Sequence, residues 1–206
     1  DEAIAAATGR YDLPQNVPVF LFVGRLMWYK GIRIILDALK TLREKNVDFR
    51  MVFVGEGADG AEIRSYAEER KLSDRCFFTG AISDREIIRA WYGRSDLFLF
   101  SSFFDTNGLV VREAAASGTA TVMIRNSCAS EGVGDGRNGF CIEENAAAMA
   151  AKLVAESGRD DVAALSTRSC ERLYGLSCLA DSVQDTGNNY TRFICITRDL
   201  EIYPGA

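Results

Sequence analysis

Two short stretches of this 206-residue sequence concentrate groups that suit a phosphorylated ligand. In "FVGRLMWYKG" an apolar run ends at Gly24 and is followed by Arg25 and then by Lys30-Gly31. Glycine lets a ligand approach the backbone, Arg offers a planar fork of donors and Lys a point charge, a set that fits a diphosphate. A helix opening near Gly31 would add free N–H groups and the positive end of its dipole. In "SSFFDTNGLVVREAAASG" a polar loop of Asp105, Thr106, Asn107 and Gly108 leads into a helix starting close to Leu109. Gly108, Leu109 and Val110 then form a second amino end able to hold a phosphate. Glu113 lies one turn further on, among small and apolar neighbours. They predict a confined carboxylate that needs partners, for which vicinal sugar hydroxyls are suited.

A third stretch makes a competing suggestion. Gly55-Glu56-Gly57-Ala58-Asp59-Gly60 spells G-x-G-x-x-G between an apolar run and a helical segment. A dinucleotide site places that turn in the first strand-to-helix crossing and an acid about 20 residues on. Here a complete strand and helix come first, and the next strand ends in Thr79-Gly80-Ala81 without a carboxylate. A tight structural turn is the better reading. A nucleotide lying against it would meet Gly55 and Glu56, but a nicotinamide enzyme is disfavoured.

The sequence contains no histidine, which removes Ser-His and Cys-His catalysis and most zinc sites. Its six cysteines, Cys76, Cys128, Cys141, Cys170, Cys178 and Cys195, are scattered and read as reduced thiols of a cytoplasmic protein. A net charge of −5 with no long basic tract argues against nucleic acid as a partner. No apolar run approaches the roughly 18–20 residues that span a bilayer.

The elements that must position these loops alternate. "VFLFVG" is a strand, and "GIRIILDALKTLREK" a helix with Ile35, Leu39 and Leu42 on one face. "FRMVFVG" and "CFFTG" are strands two and three, separated by the helix after Gly60. Ser83-Asp84-Arg85-Glu86 reads as a capping box for a helix through Trp91. "DLFLFSS", "ATVMI" and "GFCIEE" complete six strands, with "VVREAAASG" a helix between the first two. Strict alternation means an α/β, Rossmann-like, doubly wound and mostly parallel sheet with helices on both faces. Beyond Asn145 the chain reads as helical to about Tyr190. The expected division is a linker over 1–16, a nucleotide-binding domain over 17–158, and a helical segment and tail over 159–206.

The ordered set G-R-L-x-x-x-K-G, V-G-E-G, F-x-G and D-x-x-G-L-x-x-x-E-A-x-A-x-G resembles the C-terminal, donor-binding domain of family 4 (group 1) retaining glycosyltransferases, over about Tyr11 to Tyr190. These enzymes have two Rossmann-like domains facing a cleft, the GT-B fold. The resemblance implies that Arg25 and Lys30 bind the diphosphate of a sugar nucleotide, and that the amides of Gly108 and Leu109 take its distal phosphate. It implies that Glu113 holds the ribose, that Asp105 faces the donor sugar, and that Gly80, Ala81 and Ile82 lie near the base. Asp105 departs from the family's usual Glu, "TNG" replaces a more usual proline-phenylalanine-glycine, and "SCASEGV" makes Glu131 a weaker counterpart. Also implied are a UDP-sugar donor, no metal or cofactor, and an acceptor domain preceding this segment. The full-length enzyme would be cytoplasmic, with peripheral membrane association as a further expectation. A sugar-nucleotide epimerase of the same architecture and a non-catalytic nucleotide-binding module remain as alternatives. Incubation with donor alone separates the first of these, since an epimerase changes the sugar without an acceptor.

Overall fold

The computed structural model describes residue 4, residues 7–103, 105 and 108–156, and the backbone of three short strands beyond them. Six strands, β1 (Val19–Val23), β2 (Arg50–Val54), β3 (Cys76–Gly80), β4 (Leu97–Phe100), β5 (Ala120–Ile124) and β6 (Phe140–Ile142), form one parallel sheet. Their order is β3-β2-β1-β4-β5-β6, which is the doubly wound Rossmann arrangement.

Side chains alternate across a strand, so β1 is apolar throughout only because both of its faces are covered. Phe20 and Phe22 point into one buried cluster, and Val19, Leu21 and Val23 into the other. The first cluster is roofed by α1 (Ile32–Glu44), α2 (Gly60–Glu69) and α5 (Ala146–Glu156). The predicted stripe of Ile35, Leu39 and Leu42 on α1 is fully buried there. The second cluster is roofed by α3 (Arg85–Arg94) and α4 (Leu109–Ala116), through Trp91, Tyr92, Val111 and Ala114. Tyr11 from the leading segment packs edge-on against Trp91 with ring centroids 5.3 Å apart.

Two expectations need correction. The cap of α3 is Asp84, one residue later than the capping-box reading, with its carboxylate accepting from the Glu86 N–H at 2.8 Å. More substantially, the described residues beyond α5 are strands and not helix. β7 (Ala164–Ser166), β8 (Ser177–Ala180) and β9 (Ile194–Thr197) form an antiparallel sheet in the order β7-β9-β8. Only the middle strand, Ile-Cys-Ile-Thr, carries β-branched residues in strand proportion. "ALS" and "SCLA" lack strand propensity and are recruited by pairing on either side of it. Cys76, Cys128 and Cys141 are free thiols; the remaining cysteines fall outside the described side chains.

Candidate functional site

The chain leaves β1 towards β2 on one side and later enters β4 on the other, so the carboxyl ends of β1 and β4 open into a crevice. Phe22, Val23 and Phe100 line a cleft of about 280 Å³ there, together with Gly24, Lys30, Asp105, Gly108, Leu109 and Val110. The two loops singled out in the sequence, some 75 positions apart, are thus brought to one place.

The Lys30 side of the cleft is fixed from above and below. Lys30 ends a 3-10 turn, Trp28–Lys30, which Gly31 closes with φ 71° and an N–H donated to the Trp28 carbonyl at 3.0 Å. The buried Ser101 hydroxyl, just past β4, donates to the carbonyls of Lys30 and Gly31 at 3.1 and 2.8 Å. A Cβ on Gly31 would stand 2.1 Å from the Ser101 carbonyl oxygen. Below, the turn between β2 and α2 carries the loop after β1. Leu26 N–H donates to the Glu56 carbonyl (3.1 Å), Asp59 N–H to the Leu26 carbonyl (3.2 Å), and Trp28 N–H to the Asp59 carboxylate (2.7 Å). A Cβ on Gly55 would lie 1.9 Å from the Gly24 carbonyl oxygen, and one on Gly57 2.3 Å from that of Leu26. Gly55 and Gly57 are therefore required by backbone packed on backbone, and no dinucleotide is needed to explain them.

The opposite wall is the amino end of α4. Gly108 has φ 51°, and a Cβ there would stand 2.6 Å from that of Ala129. Val111 N–H bonds back to the Gly108 carbonyl at 2.8 Å, so helix geometry leaves the amides of Leu109 and Val110 for an incoming acceptor. The Lys30 ammonium is paired with the Asp105 carboxylate, and the two side chains are only 14% and 20% exposed. Arg25 is exposed and turned towards Tyr29, whose hydroxyl accepts from its guanidinium at 2.7 Å. The Tyr29 ring centroid lies 5.9 Å from the Arg25 guanidinium carbon and 5.3 Å from Lys30 Nζ, so both cations approach the one ring.

Glu113 is not confined. It is exposed, because Val111 and Ala114 take the buried positions on α4. It borders a separate cavity of about 590 Å³ between α3 and α4, shared with Arg85, Arg89, Tyr92 and Ser117. The Tyr92 hydroxyl lies 3.2 Å from the Val110 carbonyl and 3.4 Å from Glu113. Burial, and then the Glu113 charge beside it, push the Tyr92 phenol well above its usual range, so it stays a donor. Gly80 (φ 80°) accepts the Gly55 N–H at 2.9 Å, Ala81 is exposed, and Ile82 packs on the second core cluster. Glu56 is exposed on its turn, Glu131 borders a different small cavity behind α4, and Thr106 and Asn107 lie outside the described residues. Sequence reading missed Ser101, Asp59 and Tyr92. A serine directly after a buried strand and an aspartate before a helix are common, and neither reveals which distant loop it serves.

The model of the family described as glycosyl transferases group 1 matches residues 6–169. The chain belongs to this family. The match covers both walls of the cleft and all six parallel strands. Among curated relatives of this group 1 chain is the glycogen synthase of Mycobacterium tuberculosis, 31% identical over 158 residues, 76% of this chain and 37% of that protein. A glycosyltransferase structure from Rickettsia africae superposes with a TM-score of 0.65 at 26% identity, covering 74% of this chain and 40% of that one. The C-terminal domain of the group 1 protein LpcC from Francisella tularensis gives 0.62 at 25% identity, over 74% of this chain and 81% of that domain. The group 1 chain spans between about a third and somewhat under half the length of the curated relatives it matches. A second model, described as prephenate dehydratase, matches residues 140–201. Within that stretch β6 and α5 are built into the six-stranded fold.

Proposed function

We propose that this chain is the donor-binding, C-terminal half of a family 4 retaining glycosyltransferase, which moves a hexose from a nucleoside diphosphate sugar, preferably a UDP-sugar, to an acceptor. The observation that carries the reading is the convergence of Lys30 and the free amino end of α4 on one cleft at the strand carboxyl ends. A cation and two aligned amides are what a diphosphate leaving group needs as its bond to the anomeric carbon breaks. The family match and the glycosyltransferase relatives support the reaction class. The short span against those relatives, and the likeness to an isolated C-terminal domain, support a second domain that reads the acceptor.

Binding a nucleoside diphosphate weakly and transferring no sugar is therefore the behaviour expected of this chain alone. Saturation-transfer NMR with UDP, GDP, ADP and NAD checks it, and tight NAD binding with no response to the others would overturn the reading.

Glu113 is assigned to the ribose and Asp105 to the sugar. Glu113 is exposed, so Glu113→Ala should change stability by less than about 0.5 kcal/mol. It should weaken UDP while leaving inorganic pyrophosphate, which has no ribose, unaffected. Calorimetric titration of both ligands decides this. A loss shared by pyrophosphate would move Glu113 from ribose to phosphate.

A further inference from the structure

The Lys30 ammonium, the strongest feature of the cleft for an anion, is already engaged by an anion of the protein itself. The Lys30–Asp105 pair is about four-fifths or more withdrawn from solvent on both sides, so it is screened far less than a surface pair. A diphosphate entering between Lys30 and the α4 amides must displace the carboxylate from Lys30 or accept a like charge close beside it. Either way the penalty grows with the charge on the phosphate nearest Lys30. A terminal phosphate capped by a sugar is a diester with one negative charge. A free terminal phosphate at neutral pH carries most of a second one, as a phosphomonoester does. The capped ligand also brings hydroxyls, which can donate to the displaced carboxylate, whereas a free phosphate offers it no such donors.

Resting on the donor-site reading above, we propose that Asp105 is a specificity-determining residue that makes the cleft prefer a sugar-capped diphosphate over one with a free terminal phosphate. The same carboxylate that accepts from the sugar in the loaded state returns to Lys30 once the sugar is gone. The spent nucleoside diphosphate, having gained charge at its terminal phosphate, then meets a competitor for its cation. Asp105 thus favours donor over spent product in a site whose cation serves both.

The test titrates inorganic pyrophosphate, UDP and UDP-glucose into the 206-residue chain and its Asp105→Asn, Asp105→Ser, Lys30→Ala and Asp105→Asn/Lys30→Ala variants, with thermal melts confirming the fold. Removing the like charge is expected to tighten pyrophosphate and UDP about tenfold. UDP-glucose should gain less than about twofold, because its lower terminal charge was repelled less and a sugar contact is lost. In the Lys30→Ala background the gain for pyrophosphate and UDP should persist or grow, since the carboxylate is then left unneutralised beside the phosphates. If Lys30→Ala weakens every ligand while Asp105→Asn leaves the ratio of UDP to UDP-glucose affinity unchanged, the role given to Asp105 is wrong and the diphosphate site stands. If Lys30→Ala binds pyrophosphate like the parent chain, the diphosphate site itself is misplaced and the proposal falls with it.

Discussion

Gly31→Ala is expected to cost the fold roughly 2–5 kcal/mol, the sum of a left-handed backbone forced on a side chain and of overpacking. Gly31 has φ 71°, and its added Cβ would stand 2.1 Å from the Ser101 carbonyl oxygen and 2.9 Å from the Ser101 Cβ. The nearest obstacle is backbone at the end of a central strand, which cannot swing aside as a flexible side chain would. Relief requires the 3-10 turn to lift away from β4, and that breaks the bonds from the Ser101 hydroxyl to Lys30 and Gly31. Lys30 would then leave the cleft wall, so weaker phosphate binding should accompany the loss of stability. Urea unfolding of the variant measures the first effect and pyrophosphate titration the second. A cost below about 1 kcal/mol, less than the backbone strain alone, would mean that the turn has room to relax.

Lys30→Ala should weaken nucleoside diphosphate binding by about 1.5–3 kcal/mol, the range for a hydrogen bond to a charged group, or roughly 10- to 150-fold. The fall should lie towards the upper end. Removing the ammonium also strands the Asp105 carboxylate, only 20% exposed, beside the incoming phosphates. Arg25 is the contrasting case. It is exposed and engaged with Tyr29, so Arg25→Ala should cost less, within the range of about 0–1 kcal/mol typical of solvent-screened ion pairs. Calorimetry on both variants ranks them. Equal losses would mean that Arg25 swings into the cleft when a ligand is bound.

Much of this architecture was legible because both signals that write it are local. Short continuous apolar runs placed the six parallel strands, the 3.6-residue period placed helices between them, and glycine punctuation marked the crossings that carry the cleft. Lys30, Gly108 and Leu109 were legible for a further reason: in an alternating strand-helix chain, ligand-facing loops follow the strands. The Lys30–Asp105 pair was hidden, since it joins residues some 75 positions apart. So was the use made of Gly55 and Gly57. A glycine required by a neighbouring backbone and one required by a ligand look alike in sequence. The exposure of Glu113 was misjudged because its neighbours are small and apolar, yet Val111 and Ala114 alone turn inward. Beyond α5 the helical reading failed where "ALS" and "SCLA" are strands by virtue of pairing with β9 and not by composition.

The central claim is that the crevice between β1 and β4 holds the diphosphate of a sugar nucleotide. Amide chemical-shift mapping of the isotope-labelled chain, titrated with UDP, tests it most directly. The predicted result is a cluster of shifts at Gly24, Lys30 and Gly31 together with Gly108, Leu109 and Val110, saturating with one affinity and lost in Lys30→Ala. Shifts confined to the turn from Gly55 to Gly60, with the Lys30 and α4 amides unmoved, would contradict it and return the site to the dinucleotide-like glycines.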